Sequence, residues 1–387
     1  MAAKTIAETG PLKETLDGTE LLEIQEAAGG VGSSKHVTAD ILVRDSLRRA
    51  AEARSGGRVT VLYDSAGKPN YMHVIPKFRY EDLGFDAELG AGTCTAFVVD
   101  GVEKPEIFIG QYLASGANAQ SVAGVDPANT IDYDEAVAAC TAKGDGWHLM
   151  TVHEWAAVAL WCMANGFQPR GNTNYGRAYD ATWEVGRRGD GALPGADGSA
   201  RTDAGTGPAS WYHTNDHTGI ADMVGNVWEW NFGLKLVEGQ VLCTPDNNYT
   251  LAEANWAAQA AYFDSPVDGT GTDGSYIGAP ILSDAVTHFG DPDPASNAYN
   301  QYNSINPWSN LATSAGYVSD PLLRRLLIEP AGIAPQGYFV GRNYGERLPS
   351  RGGSWNGGGN AGLAALNLGY PRSNRGANVG FRPAFVA

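Results

Sequence analysis

Gly219-Ile220-Ala221-Asp222-Met223-Val224-Gly225-Asn226-Val227-Trp228-Glu229-Trp230 is the stretch on which the reading of this chain turns. Two tryptophans flank one glutamate directly after a Gly-Asn turn. Such side chains are large anchors for a core assembled mainly from loops. A second stretch, Arg351-Gly352-Gly353-Ser354-Trp355, adds another anchor, and its paired glycines let backbone pack close to backbone. Further upstream, Asp132-Tyr133-Asp134-Glu135-Ala136 opens an amphipathic helix that runs to Ala142, with Ala136, Ala139 and Cys140 on one side. Thr151 and Glu154 form a capping box for a second helix, Val152 to Asn165, which is rich in Ala and Trp and ends at Gly166.

The rest of the chain is organised around these pieces. Its 387 residues predict two or three domains. Gly occurs 50 times, about twice the usual share, which implies many turns. A helix is expected from Thr38, stopped at Gly56-Gly57, followed by strands Arg58 to Tyr63 and Tyr71 to Ile75 around a turn at Ser65 to Pro69. Residues 1–85 are read as a small N-terminal module that gains from assembly with copies of itself. The larger domain covers 95–387, with strands at Thr95 to Val99 and Ile107 to Tyr112. Within it, 234–345 is read as an insertion with little regular structure, since so long a loop is usually functional.

A net charge of -16 disfavours nucleic acid and anionic membrane as general partners. No apolar run approaches the ~20 residues of a membrane span, and no secretory signal pattern opens the chain. The four cysteines, Cys94, Cys140, Cys162 and Cys243, show no paired spacing and read as buried thiols, with a Cys140–Cys162 bridge as the alternative. His213 and His217 have metal-like spacing for a helix, but the Gly, Asn and Thr around them argue for a loop and a structural role.

Three segments in order resemble the formylglycine-generating-enzyme-like family: Asp132 to Ala136 with Glu154-Trp155, Gly219 to Trp230, and Arg351 to Trp355 closed by Gly380-Phe381-Arg382-Pro383-Ala384. The resemblance spans about 95–387. It implies an α+β, C-type-lectin-like fold of two helices, short antiparallel strands and much loop. Catalytic members use a cysteine pair after Arg-Gly-Gly-Ser-Trp; here the last cysteine is Cys243, so the thiol chemistry has no residue to run on. Iron-dependent relatives carry a His-rich domain, whereas the N-terminal module has only His36 and His73. The resemblance also implies a possible calcium ion, held by Asp222, Glu229 and the carbonyls of Gly225 and Val227, whose hard oxygens suit it. The alternative is that both carboxylates hydrogen-bond the turn without metal. No cofactor is otherwise required.

Residues 351–387 hold four arginines and no Lys, Asp or Glu, and are rich in Gly and Asn. This segment resembles the variable region of diversity-generating-retroelement proteins, where Asn codons of a template are randomised at their adenines. The resemblance implies a ligand-reading set of Asn356, Gly357, Asn360, Asn367, Gly369, Tyr370, Arg375, Gly376, Ala377 and Asn378. Tyr370 and Arg375 are candidate anchors, and Trp355, Leu363, Leu366 and Phe381 form a fixed buried set. A short N-terminal match, Thr15-Leu16-Asp17-Gly18-Thr19-Glu20-Leu21, resembles openings of phage tail proteins. The expectation is a non-catalytic receptor-binding protein of a virion tail, present in a bacterial cytoplasm before assembly. It would be homo-oligomeric (a trimer would give avidity), and its partners would be tail proteins and a host-surface protein or glycan. The alternative is a catalytic oxidase of the formylglycine-generating family.

Overall fold

Trp228–Trp230 is an interior strand of a five-stranded sheet. The computed structural model describes residues 21–24, 35–264, 280–288, 311–330, 333, 337 and 339–387. The strands run Phe339–Gly341, Gly362–Leu368, Ser350–Gly352, Trp228–Trp230, Val379–Phe381. Trp228–Trp230 pairs antiparallel with Ser350–Gly352 and parallel with Val379–Phe381. Motifs more than a hundred residues apart thus share one sheet. Alternation along the strand sends Trp228 and Trp230 to one face, where they pack with Tyr133, Phe232 and Phe381, and sends Glu229 to the other.

Both expected helices form. Tyr133–Thr141 is capped by Asp132 with Glu135 closing the box, and Val152–Ala164 by Thr151 with Glu154. Every residue from Val152 to Leu160 is buried. Trp155 sits at the centre of the largest apolar cluster, its Nε1 donating to the Leu363 carbonyl at 2.8 Å. The helix therefore fastens the C-terminal segment directly.

A second five-stranded sheet runs Trp147–Leu149, Pro383–Phe385, Glu106–Gly110, Pro69–Pro76, Val59–Tyr63. It crosses the boundary expected near residue 85. The Val59–Pro76 hairpin is not a module of its own, because Pro69–Pro76 pairs along its length with Glu106–Gly110. Two strands bury too little on one face to stand alone, and a third supplies the missing partner. Lys143, itself buried, adds a polar fastening: its Nζ donates to Asp64 Oδ2 (3.2 Å), Asn70 Oδ1 (2.9 Å) and the Asn118 carbonyl (3.0 Å). Ala39–Ser55 is the helix expected after Thr38, and Ala51 packs on Val59 and Val61. The Thr15–Leu21 match lies outside the described residues except for Leu21.

The stretch 234–345 differs from its expectation. It contributes Leu234–Val237, Gln240–Cys243, Ala257–Asp264, Ile281–Ser283 and Ala312–Thr313 to a six-stranded sheet closed by Glu346–Arg347. The first pair is a hairpin turning on Glu238 and Gly239, both at positive φ (48° and 80°), the geometry of a two-residue turn. All four cysteines are buried and free, so Cys140 and Cys162 are not bridged.

Candidate ligand-binding surface

The segment from Ser350 divides into buried strands and outer connections. Gly362–Leu368 is buried at every residue, because strands flank it on both sides and both faces are covered. Leu363, Leu366 and Phe381 are at most 1% exposed and Trp355 is 8% exposed, so the expected fixed set is inside. Gly352 and Gly353 make the sharp exit from the sheet at φ 89° and 94°. A Cβ on Gly352 would come within 2.7 Å of the Met223 carbonyl oxygen, and one on Gly353 within 2.5 Å of Ala361 Cβ, so no other residue fits.

The expected ligand-reading residues separate into two groups. Asn356, Asn360, Arg375 and Ala377 are exposed, and Gly357, Gly376 and Asn378 half-buried, in the connections 353–361 and 369–378. Asn367 and Gly369 are corrections. Both are buried: Asn367 belongs to the covered strand, and its Oδ1 accepts the Gly369 N–H at 2.7 Å. Tyr370 also turns inward, its ring edge-on to Trp230 at 6.0 Å between centroids. Arg375 is exposed but engaged, donating to Asp132 and Glu135 at the start of the Tyr133–Thr141 helix.

The connections are held through main-chain atoms. Thr173 O accepts from Gly358 N, Trp355 O from Tyr175 N, Gly376 O from Thr130 N, and Asn378 O from Trp228 N. Arg201 stands between the two groups. It donates to the Ala377 carbonyl at 3.1 Å, pairs with Asp126, and lies 5.9 Å above the Trp355 ring.

Residues 167–185 add to this face and were missed in the sequence. Tyr179 would touch a Cβ at Gly359 at 3.3 Å, and it lines a cavity of about 300 Å³ with Arg170, Thr173, Asp180 and Ala361. Trp183, four residues on, is 77% exposed. A tryptophan within the polar run Asp180-Ala181-Thr182-Trp183-Glu184 has no apolar periodicity to bury it, and that was the available sign.

The basic excess of the segment is balanced locally. Arg372 reaches Asp134, Glu253 and Glu346, and stacks over Tyr133 at 5.2 Å. Burial opposes ionisation of Glu253 and Glu346, but the hydrogen bonds from Arg372 and Lys235 outweigh it, and both carboxyls titrate below their usual range. Arg351 is fully buried and donates to the carbonyls of Leu326 and Leu327 at the end of the Pro321–Arg325 helix; burial lowers its pKa to about 9.

The two carboxylates of the expected calcium set, Glu229 and Asp222, do not fit the ion together. Glu229 Oε2 accepts from Arg382 Nε at 2.9 Å and Oε1 from its terminal nitrogen at 2.8 Å, a bidentate pair with both side chains at most 1% exposed. A guanidinium thus takes both oxygens that a cation would need. Asp222 Oδ2 accepts from Gly205 N at 2.7 Å, while Oδ1 is buried without a partner. Burial raises Asp222 to about 6. Among the described residues no group of three or more His, Cys, Asp or Glu gathers as metal ligands. His213 and His217 lie in a turn region rather than on a helix, and His213 instead meets His73. Burial pushes the thiols up, Cys94 to about 11 and Cys243 to about 12, and Cys140 and Cys162 further still.

Residues 93–250 match the family described as "Sulfatase-modifying factor enzyme 1-like domain". No curated protein matches the chain. Among solved structures, Treponema denticola variable protein 1 aligns over 84% of this chain and 98% of its own, at 11% identity and a TM-score of 0.31. The Major Tropism Determinant U1 variant aligns over 84% and 71%, at 13% identity and a TM-score of 0.30. The I1 variant gives the same coverage and identity, with a TM-score of 0.31. The fold is α+β and C-type-lectin-like, and its residues 93–250 are similar to the sulfatase-modifying factor enzyme 1-like domain.

Proposed function

We propose that this protein is a ligand-binding protein of the variable kind that retroelements diversify, and that connections 353–361 and 369–378 are its recognition surface. One observation carries the reading. Within a single segment the strands are buried but for half-buried Phe385, while Asn356, Asn360, Arg375 and Ala377 of the Asn- and Gly-rich connections face solvent, with exposed Tyr179 against Gly359. Side chains at Asn356, Asn360, Arg375 and Ala377 can change without disturbing packing, whereas aromatic and Arg anchors nearby supply contact area. Asn367, Gly369 and Tyr370 belong to the support and not to the reading set.

The reading is non-catalytic. All four cysteines precede the segment in which a thiol pair would act, and burial keeps each one a thiol at neutral pH. The ligand is a host-surface protein or glycan, and the setting is a virion tail with several copies of the chain. Light scattering on the purified protein tests the oligomer.

The deciding experiment replaces Asn356, Asn360 and Ala377 together with other residues and compares binding to a panel of candidate host surfaces. The expected result is changed binding at unchanged melting temperature. Loss of folding in these variants, or binding indifferent to all three, refutes the surface. Turnover of a Cys-containing peptide in the presence of thiol would overturn the non-catalytic reading. A near-copy of the codons for residues 351–385 that differs only at adenines, beside a reverse transcriptase gene, tests the diversification itself.

A further inference from the structure

His73 and His213 are 140 residues apart in sequence and meet at the wall of one cavity. It has a volume of about 510 Å³ and shares no lining residue with connections 353–361 and 369–378. Ile75, Phe78, Leu83, Val158 and Trp161 make most of its surface apolar. The two imidazoles stand edge to face, centroids 4.6 Å apart and planes at 88°, at 5% and 3% exposure.

The main chain fixes the tautomer of each ring. His73 Nδ1 lies 2.8 Å from the Thr218 carbonyl oxygen. A carbonyl only accepts, so Nδ1 carries the proton and Nε2 presents a bare lone pair. His213 is the reverse: its Nδ1 accepts the Ile220 N–H at 2.7 Å, so the proton of the neutral ring sits on Nε2. Burial keeps both rings neutral at physiological pH, with His73 titrating at about 4 and His213 well below its ordinary value. Neither Nε2 has a hydrogen-bond partner among the described residues.

One lone pair beside one N–H does not make a metal site, because a metal needs a lone pair from each ring. It is the complement of a hydroxyl, which donates once and accepts once. An anion finds no free cation here: the lining Arg58 is paired with Asp216 at 3.3 Å and Lys77 with Glu103 at 2.8 Å.

We propose that this cavity binds a phenol. The aromatic body lies against Phe78 and Trp161, and the hydroxyl donates to His73 Nε2 while accepting from His213 Nε2–H. The source of the phenol is a free small molecule or the tyrosine side chain of a peptide.

The test uses the full chain with ¹⁵N-labelled histidine and three probes: p-cresol, toluene and N-acetyl-tyrosinamide. The unliganded protein is expected to show His73 protonated on Nδ1 and His213 on Nε2. Titration with p-cresol should shift both Nε2 resonances. Removing the hydroxyl leaves two polar nitrogens unpaired in the complex, so toluene should bind at least about tenfold more weakly. In His73→Phe, this preference should fall below about threefold while toluene still binds. If N-acetyl-tyrosinamide matches p-cresol the source is a peptide; if it is excluded while p-cresol binds, the source is a free phenol. Equal binding of p-cresol and toluene, no shift with p-cresol at millimolar concentration, or the opposite tautomers overturns the proposal. Should His73→Phe not fold, the tautomers and the p-cresol titration of the unaltered protein decide alone.

Discussion

Replacing Arg382 with Met tests the element that joins the Gly219–Trp230 and Gly380–Ala384 stretches. Arg382 donates four hydrogen bonds: two to Glu229, one to the Gly110 carbonyl at 2.9 Å and one to the Ala221 carbonyl at 2.8 Å. These connect the Trp228–Trp230 sheet to the sheet containing Glu106–Gly110. Removing one partner of such a buried pair costs about 3–5 kcal/mol, chiefly because the other charge is stranded. The two abandoned carbonyls add about 1 kcal/mol or more each. The expected deficit at pH 7 is therefore at least about 5 kcal/mol, measured by urea denaturation with intrinsic tryptophan fluorescence. In the variant, Glu229 loses the group that opposes burial, so its folded pKa rises further above the unfolded value. A carboxyl with a raised folded pKa binds its proton more tightly in the native state, so stability falls as pH rises between the two values. The deficit should thus shrink from pH 7 to pH 5. Replacing both residues, Arg382→Met with Glu229→Met, removes the stranded charge and should recover part of the loss. A deficit below about 1 kcal/mol, a pH-independent one, or a double variant worse than the single would refute the reasoning. Added calcium should leave the melting temperature of the unaltered protein unchanged; a rise would mean that the ion displaces Arg382 from Glu229.

Asp222 titrates at about 6 against an ordinary 3.8, so native stability should fall by up to about 3 kcal/mol as pH rises from 4 to beyond 6. Asp222→Asn should flatten that slope in denaturation curves at pH 5 and pH 8. Leu366→Ala, in the covered strand, should cost about 2–5 kcal/mol, whereas Asn360→Ala should stay within about 0.5 kcal/mol by the same assay. Trp183→Ala should leave the melting temperature unaltered and weaken ligand binding by about 2 kcal/mol if the tryptophan is an anchor, read by calorimetry against a bound host surface. Arg201→Met should lower both stability, by about 1 kcal/mol, and binding, since it ties Ala377 to the Trp355 side of the face.

What the sequence made legible was local or carried by large side chains. Capping boxes at Asp132 and Thr151 act within four residues, so the helices followed from their own neighbourhoods. Trp155, Trp228, Trp230 and Trp355 were legible as large anchors, and their burial defines the core. The Leu234–Cys243 hairpin was missed although its sign was present: two short apolar runs around Glu-Gly, a two-residue turn that needs positive φ. Asn367 and Gly369 were placed in the ligand-reading set by the resemblance to a variable region. Strand Gly362–Leu368, which contains Asn367 and ends beside Gly369, is covered by partners from 339–341 and 350–352, which no local pattern announces. The same limit hid the company of His73, which faces a histidine from another part of the chain. The boundary at residue 85 failed for a related reason: a hairpin's own sequence does not say which third strand completes it.

A surface that must accept many side chains cannot be held by those side chains, and the hydrogen bonds of this one meet that demand. Each connection is fixed at carbonyl or amide atoms, which every substitution short of proline preserves: Trp355 O, Gly358 N, Arg372 O, Gly376 O, Ala377 O and Asn378 O. The partners are Tyr175, Thr173, Tyr133, Thr130, Arg201 and Trp228, all outside the segment. Positions that do rely on a side chain, such as Arg351, Asn367 and Arg382, are buried and belong to the sheets. Two positions of the second connection depart from this: half-buried Arg372, whose guanidinium reaches Asp134, Glu253 and Glu346, and Arg375, which is exposed and whose own guanidinium grips Asp132 and Glu135. Exposed ion pairs contribute about 0–1 kcal/mol, so loss of the Arg375 pairs would leave the loop anchored by Gly376 and Asn378. Arg375 can therefore vary as freely as its neighbours, and its present contacts describe one occupant of that position rather than a requirement of the fold.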